Sequence, residues 1–254
     1  HLDYIGRYEP ATVDVLIARI RQLIDETGDR AFHFVDEAMP PALLGRLAQR
    51  LIDERLRIMW WGNARFDRAL EGLAPVLAQS GCVAITGGLE VPVARLLDRM
   101  GKGVSLAQGA QVCRALMAQG IFTHAYLIYG FPTETVQETI DGLEFVRQMF
   151  EANALRSAFW HDFSLTAHSP IAAAPERYGI TLQPEGERPF SRYLLDFDEP
   201  GRADHAAYGP GLVRAAHHFT LQLGLEDPLD RWFEMPVPAP SIPRDLVASY
   251  LANR

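Results

Sequence analysis

Three short apolar runs begin at Phe32, Arg57 and Cys82, 25 residues apart each time, with a helical pattern filling each interval. That constant step constrains the fold more than any other feature. Strands that return at this spacing must be parallel, because the connection has to travel back along the sheet through a right-handed helical crossover. Before the first run, Val13, Leu16, Ile17, Ile20, Leu23 and Ile24 follow helical spacing over 11–27, and Gly28 supplies a left-handed stop. The helix predicted over 40–54 carries Leu43, Leu44, Leu47 and Leu51 on one face, and Asp67 is placed to cap a helix reaching residue 79. A fourth run at 122–129 and a fifth at 157–165 follow. The expected fold class is α/β: an incomplete (β/α) TIM-type barrel of parallel strands with a C-terminal extension. A doubly wound sheet is the second architecture with this pattern.

After Ser169 the character changes. Eleven of the 17 prolines lie from Pro170 onward, with Pro236, Pro238 and Pro240 marking an extended stretch. Residues 1–169 are therefore expected to form the partial barrel, and 170–254 a proline-rich extension with helices near 212–223 and 244–252.

Composition narrows the function. The net charge is −8, from 24 basic against 32 acidic residues, and no basic block stands out, so nucleic acid is not expected as a partner. No apolar run approaches the roughly 18 residues of a membrane span, and residues 1–10 show no signal-peptide pattern, which points to a cytoplasmic protein without a membrane partner. Cys82 and Cys113 are the only cysteines and both sit among apolar residues. They read as reduced core thiols, too few for an all-cysteine metal or iron–sulfur site.

Ligands in parallel α/β folds bind beyond the carboxyl ends of the strands. The residues there are Asp36 and Glu37, Asn63 and Arg65, Thr86 to Gly88 and Glu90, Gly130, and His161 with Asp162. Carboxylates, a guanidinium and open glycine backbone on one rim suit a ligand with an amine, a carboxylate and vicinal hydroxyls. Each has a plainer reading. Asp36 and Glu37 can cap a helix, Arg65 can pair on the surface, Glu90 can cap a helix starting at Pro92, and 130–135 can be a turn closed by a capping threonine and glutamate. The set, one group per strand end, is more specific than any member.

FHFVDE (32–37), WWGNARFD (60–67), GCVAITGGLE (81–90), LLDRMGKG (96–103) and IYGFPTET (128–135), in this order, resemble a radical S-adenosylmethionine (radical SAM) enzyme. The resemblance covers residues 10–170 and points to the subgroup that often carries an N-terminal cobalamin-binding domain. It implies SAM across the strand ends: Asp36 and Glu37 near the methionyl amine, Arg65 and Asn63 toward the carboxylate, Gly88 and Glu90 at the ribose, and Gly130, Phe131 and Pro132 near the adenine. It also implies a 4Fe-4S cluster, cobalamin in some members, a small-molecule substrate lined by His161 and His168, and an electron donor such as a flavodoxin or ferredoxin.

One departure is large. The CxxxCxxC that binds the cluster is absent. The expectation is a core fragment lacking the first strand and cluster loop, inactive alone but part of an enzyme that reductively cleaves SAM to start radical chemistry. Two other readings stay open: a non-catalytic barrel that binds SAM or another small ligand, and a metal-dependent hydrolase built on some of the eight histidines.

Overall fold

A computed structural model describes residues 11–184 and 193–252. Residues 1–10, read above only for the lack of a signal-peptide pattern, lie outside them. The chain runs α1 (Val13–Thr27), β1 (Ala31–Phe34), α2 (Pro41–Asp53), β2 (Met59–Asn63), α3 (Ala69–Gln79), β3 (Cys82–Glu90), α4 (Ala94–Met100), α5 (Leu106–Ala118), β4 (Phe122–Tyr129), α6 (Val136–Glu151) and β5 (Ser157–Asp162). Beyond β5 come a short helix, α7 (Pro170–Ala173), a two-residue pair β6 (Thr181–Leu182) and β7 (Phe197–Asp198), then α8 (Gly209–Thr220) and α9 (Leu246–Ala252).

The five long strands form one sheet, all pairs parallel, in the order β1-β2-β3-β4-β5. Consecutive order decides between the two expected architectures. A doubly wound sheet reverses direction at a switch point and covers both faces, whereas a barrel adds each strand beside the last. Here the buried residues lie on one face: Trp60, Ile85, Ala125, Leu127 and Trp160 join one core with Leu44, Leu47, Leu77, Leu116 and Phe145 of the helices. The fold is a partial α/β barrel. Its opposite, concave face stays open.

Local chemistry sets the boundaries. Thr12 caps α1 by accepting from the Val15 amide, and Gly28 ends it at φ +78°. Helix α3 departs from expectation: it starts at Ala69 with Arg68 at the cap and no side-chain bond, while the Asp67 carbonyl, not its carboxylate, accepts from the Leu70 amide. Strand β2 sits further along than the apolar run suggested, because Gly62 and Asn63 still pair with β1 and β3. Strand β3 is longer and β5 shorter. A glycine pair often marks a turn, but here it is strand, since Gly87 and Gly88 keep their register against Ala125 and Tyr126.

The C-terminal region does not stand apart. Helix α8 packs on β5, and Leu212, Ala215 and Phe219 enter the same core. The proline-rich stretch lies along α6, where the Gln137 side chain donates to the Ala239 carbonyl at 2.9 Å.

Candidate functional site

At the end of β1, Asp36 and Glu37 are exposed. Neither caps α2, whose N-cap is Pro40 without a side-chain bond. Asn63 ties this loop down: its amide donates to the Asp36 carbonyl at 2.9 Å, and its carbonyl accepts from Met39 at 2.8 Å. Asn63 therefore positions the acidic pair.

The most built part of the rim lies at the end of β3. The Arg65 guanidinium donates to the Lys102 carbonyl, and the Lys102 ammonium pairs with Glu90 Oε1 at 2.9 Å. Together with Phe66, Gly88 and Val104 they line a cleft of about 120 Å³. Glu90 holds φ +57°, a left-handed conformation, at a bulge in the β3–β4 register. It caps nothing, because α4 begins after Val93 without a side-chain bond. A β-carbon on Gly88 would lie 2.2 Å from Glu90 Oε1, so the glycine is what lets this carboxylate fold back into the cleft. Lys102 was not among the expected residues. Its only sequence signal is its place between two glycines in LLDRMGKG, where it reaches Glu90 across a turn that spacing does not disclose.

Gly87 serves the same cleft from behind. A β-carbon there would meet the Ala64 carbonyl at 2.6 Å and the Phe66 ring at 2.9 Å. Gly87→Ala is expected to cost about 1–3 kcal/mol, since the clash is partly with backbone that cannot yield. A urea unfolding curve displaced by less than about 0.5 kcal/mol would show that the loop gives way freely.

The Gly130 turn is tied to the C-terminal region. Gly130 sits at φ +76°, and its carbonyl accepts from Arg202 at 2.8 Å. Arg202 pairs with Glu199 at 3.0 Å, and Glu199 in turn accepts from the Thr133 amide at 2.6 Å. Phe131 is fully buried in a small apolar cluster with Val91 and Leu96, and Pro132 is buried too. Their side chains pack, and the Phe131 amide and carbonyl are both bonded to Glu134. Thr135 and Glu138 form the capping box of α6. The capping threonine of that turn is Thr135, but its glutamate partner is Glu138, beyond the turn, and not Glu134.

Glu134 does something else. It is 5% exposed; its carboxylate accepts from the Phe131 amide at 2.9 Å and the Thr139 hydroxyl at 2.7 Å. Burial pushes its pKa up to about 7, against the lowering effect of those donors. Behind it, His205 bonds the Glu134 carbonyl through Nε2 at 3.1 Å and faces Thr139 through Nδ1 at 3.4 Å. Burial lowers the His205 pKa below its ordinary value. Neither Glu134 nor His205 stood out in the sequence, because the 71 positions between them close only in three dimensions.

His161 points from β5 onto the concave face, between the rings of Tyr126 and Phe159. His168 lies beyond β5, exposed and apart from it. Among the described residues no group of three or more His, Cys, Asp or Glu is placed to share a metal ion. Nor do the cysteines fit a 4Fe-4S cluster. Both are buried; the Cys82 thiol is pushed up to about 12 and Cys113 higher still, the opposite of the thiolates a cluster needs.

No family model matches the chain. Its sequence is 24% identical over 150 residues to an uncharacterized methyltransferase from Pyrococcus horikoshii, covering 58% of this chain and 33% of that protein. In structure it is similar to the radical S-adenosylmethionine methyltransferase TsrM from Kitasatospora setae. The form with tryptophan substrate and a SAM analogue bound matches with TM-score 0.60 at 16% identity, covering 91% of this chain and 49% of that one. The form with cobalamin and a 4Fe-4S cluster matches with TM-score 0.55 at 17% identity, over 70% and 38%. The chain thus spans a third of the curated relative and under half of TsrM. With five parallel strands in sequence order, helices on one face and glycine-lined strand ends, it has the partial α/β barrel fold of the radical SAM methyltransferases.

Proposed function

We propose that this chain is the SAM-binding barrel of a radical SAM enzyme, with the cluster held by residues outside these 254. The observation that carries the reading is the cleft at the end of β3, where a guanidinium, a lysine, a carboxylate and bare glycine backbone share about 120 Å³. Its donor set fits SAM. Glu90 accepts from ribose hydroxyls and Arg65 clasps a carboxylate, while Asp36 and Glu37 offer acceptors for an ammonium across the Asn63 tether. Glycine at 88 lets the ligand approach backbone closely.

A complete enzyme of this class reductively cleaves SAM to begin radical chemistry on a small molecule, drawing its electron from a flavodoxin or ferredoxin. The methyltransferase names of the similar proteins favour methyl transfer, with cobalamin as a further cofactor. This chain contributes binding and orientation.

Calorimetric titration of the chain with SAM tests the reading. Saturable binding is expected, and Arg65→Ala and Glu90→Ala should each weaken it roughly tenfold or more, the worth of a charge-assisted hydrogen bond. Unchanged affinity in both variants, with unfolding curves intact, removes the assignment.

A further inference from the structure

The proline-rich stretch roofs a cavity on the helix side of the sheet. It holds about 410 Å³ between α6, residues 228–230 and residues 237–244, and shares no lining residue with the cleft at the end of β3. Four hydrogen bonds hold the roof. Gln137 donates to the Ala239 carbonyl at 2.9 Å, the Ser241 amide to Asp141 at 2.6 Å, Gln148 to the Pro243 carbonyl at 2.8 Å, and the Val247 amide to Gln148 Oε1 at 3.0 Å. Pro238 and Pro240 have a fixed φ and no N–H, so the roof keeps an extended course without a strand partner. The space is therefore formed before anything enters it, and its volume falls within the range of small-molecule sites.

Its walls are apolar, and its polar groups are of both signs. Pro228, Leu229, Val237, Pro238, Pro240 and Ile242 supply the apolar surface. The floor is the Glu144–Arg147 pair, with side chains 1% and 3% exposed. Arg147 donates through Nη2 to Glu144 and through Nη1 to the Asp227 carbonyl at 3.0 Å, and its Nε has no hydrogen-bond partner. Arg244 enters from the rim, where it is exposed. Arg147 Nε and Arg244 Nη2 converge on Glu151 Oε1 at 3.9 and 3.6 Å, and Arg244 stands 3.8 Å from both Glu144 and Glu226. These separations are longer than a hydrogen bond, so both guanidiniums hold N–H groups that none of these carboxylates takes. Asp230 lines the same cavity and is exposed, and among the described residues its carboxylate has no hydrogen bond or ion pair.

We infer that this cavity binds a free α-amino acid with an apolar side chain: its carboxylate on Arg244, its ammonium on Asp230 and its side chain against the proline walls. Charge selects the zwitterion. Four carboxylates, Glu144, Glu151, Glu226 and Asp230, surround two guanidiniums, Arg147 and Arg244. A ligand that is only an acid adds to this surplus and leaves Asp230 unpaired, and one that is only an amine leaves Arg244 without an acceptor. The zwitterion meets both groups at a rim that water still reaches, where the desolvation of its charges is smallest. This site is independent of the SAM reading.

Calorimetric titration with phenylalanine, without SAM, tests the inference, with hydrocinnamate (no ammonium) and phenethylamine (no carboxylate) as controls. Saturable one-site binding is expected, with each analogue weaker by roughly tenfold or more. Asp230→Asn should weaken phenylalanine roughly tenfold without weakening hydrocinnamate, and Arg244→Gln should do the same without weakening phenethylamine. Both side chains are exposed, so the variants should fold, which a urea unfolding curve checks. A titration that does not saturate, an analogue that binds as tightly as phenylalanine, or unchanged affinity in both variants would overturn the inference. So would loss of phenylalanine binding in Arg65→Ala, which would place the amino acid in the strand-end cleft. Because SAM is absent, failure here is separable from failure of the SAM titration.

Discussion

Glu144→Ala is expected to destabilise the protein by about 3–5 kcal/mol, more than any other single change considered. Glu144 and Arg147 form an ion pair within α6 in which the two side chains are 1% and 3% exposed. The carboxylate also accepts from Gln148 at 2.9 Å and has the Arg244 guanidinium at 3.8 Å. Removing it strands a guanidinium that is out of water, held by the Asp227 carbonyl at 3.0 Å and a distant Glu151 at 3.9 Å. Burying a charge is tolerated only with its partner present. A urea midpoint that falls without a change of slope checks the prediction. The double variant Glu144→Leu, Arg147→Met should cost less than Glu144→Ala alone, since it removes both charges. Equal or larger loss would mean that α6 depends on its packing there and not on charge balance.

The second large effect depends on pH. The Glu134 pKa stands near 7 in the folded protein against an ordinary 4.5. Between these values the folded chain holds a proton that the unfolded chain has released. The stabilisation is complete below pH 4.5 and is lost as pH rises toward 7. His205 acts with the opposite sign: its pKa is lowered, so its contribution is present above pH 6.5 and lost as pH falls below that. The two slopes oppose each other in the wild type, and that of Glu134 has to be isolated by difference. Comparison of Glu134→Gln with the wild type does so, because the His205 slope is common to both. Glutamine can accept from the Phe131 amide and donate to Thr139, whose hydroxyl then turns to the Thr135 carbonyl at 3.3 Å. The stability of Glu134→Gln relative to wild type should therefore climb between pH 5 and pH 8, by on the order of 3 kcal/mol. Urea unfolding of both proteins at the two pH values reads this directly. A difference that does not vary with pH would show Glu134 titrating at its ordinary value.

The barrel was legible in the chain because its signals are local. A 25-residue step over the first three strands, apolar runs of strand length and amphipathic helices between them each depend on neighbours a few positions away, and together they imply parallel strands. The cleft was half legible. Arg65, Gly88 and Glu90 announced themselves by position at strand ends, but Lys102, which neutralises Glu90, did not. Boundaries followed the same divide: pairing across the sheet carried β3 on to Glu90 through two glycines.

What the chain determined alone was periodicity, and through it parallel strands alternating with helices and the rim on which polar residues collect; the order of the strands came from the tertiary structure. Tertiary structure decided what those residues face. His33 meets Trp61, and Tyr126 meets His161, because alternation on paired strands puts these side chains on one face. The Glu134 carboxyl is raised by burial, and His205 and Arg202 bond the Glu134 and Gly130 carbonyls from the far end of the chain. Burial and charge balance are sums over neighbours in space, and neighbours in space are what a sequence does not print.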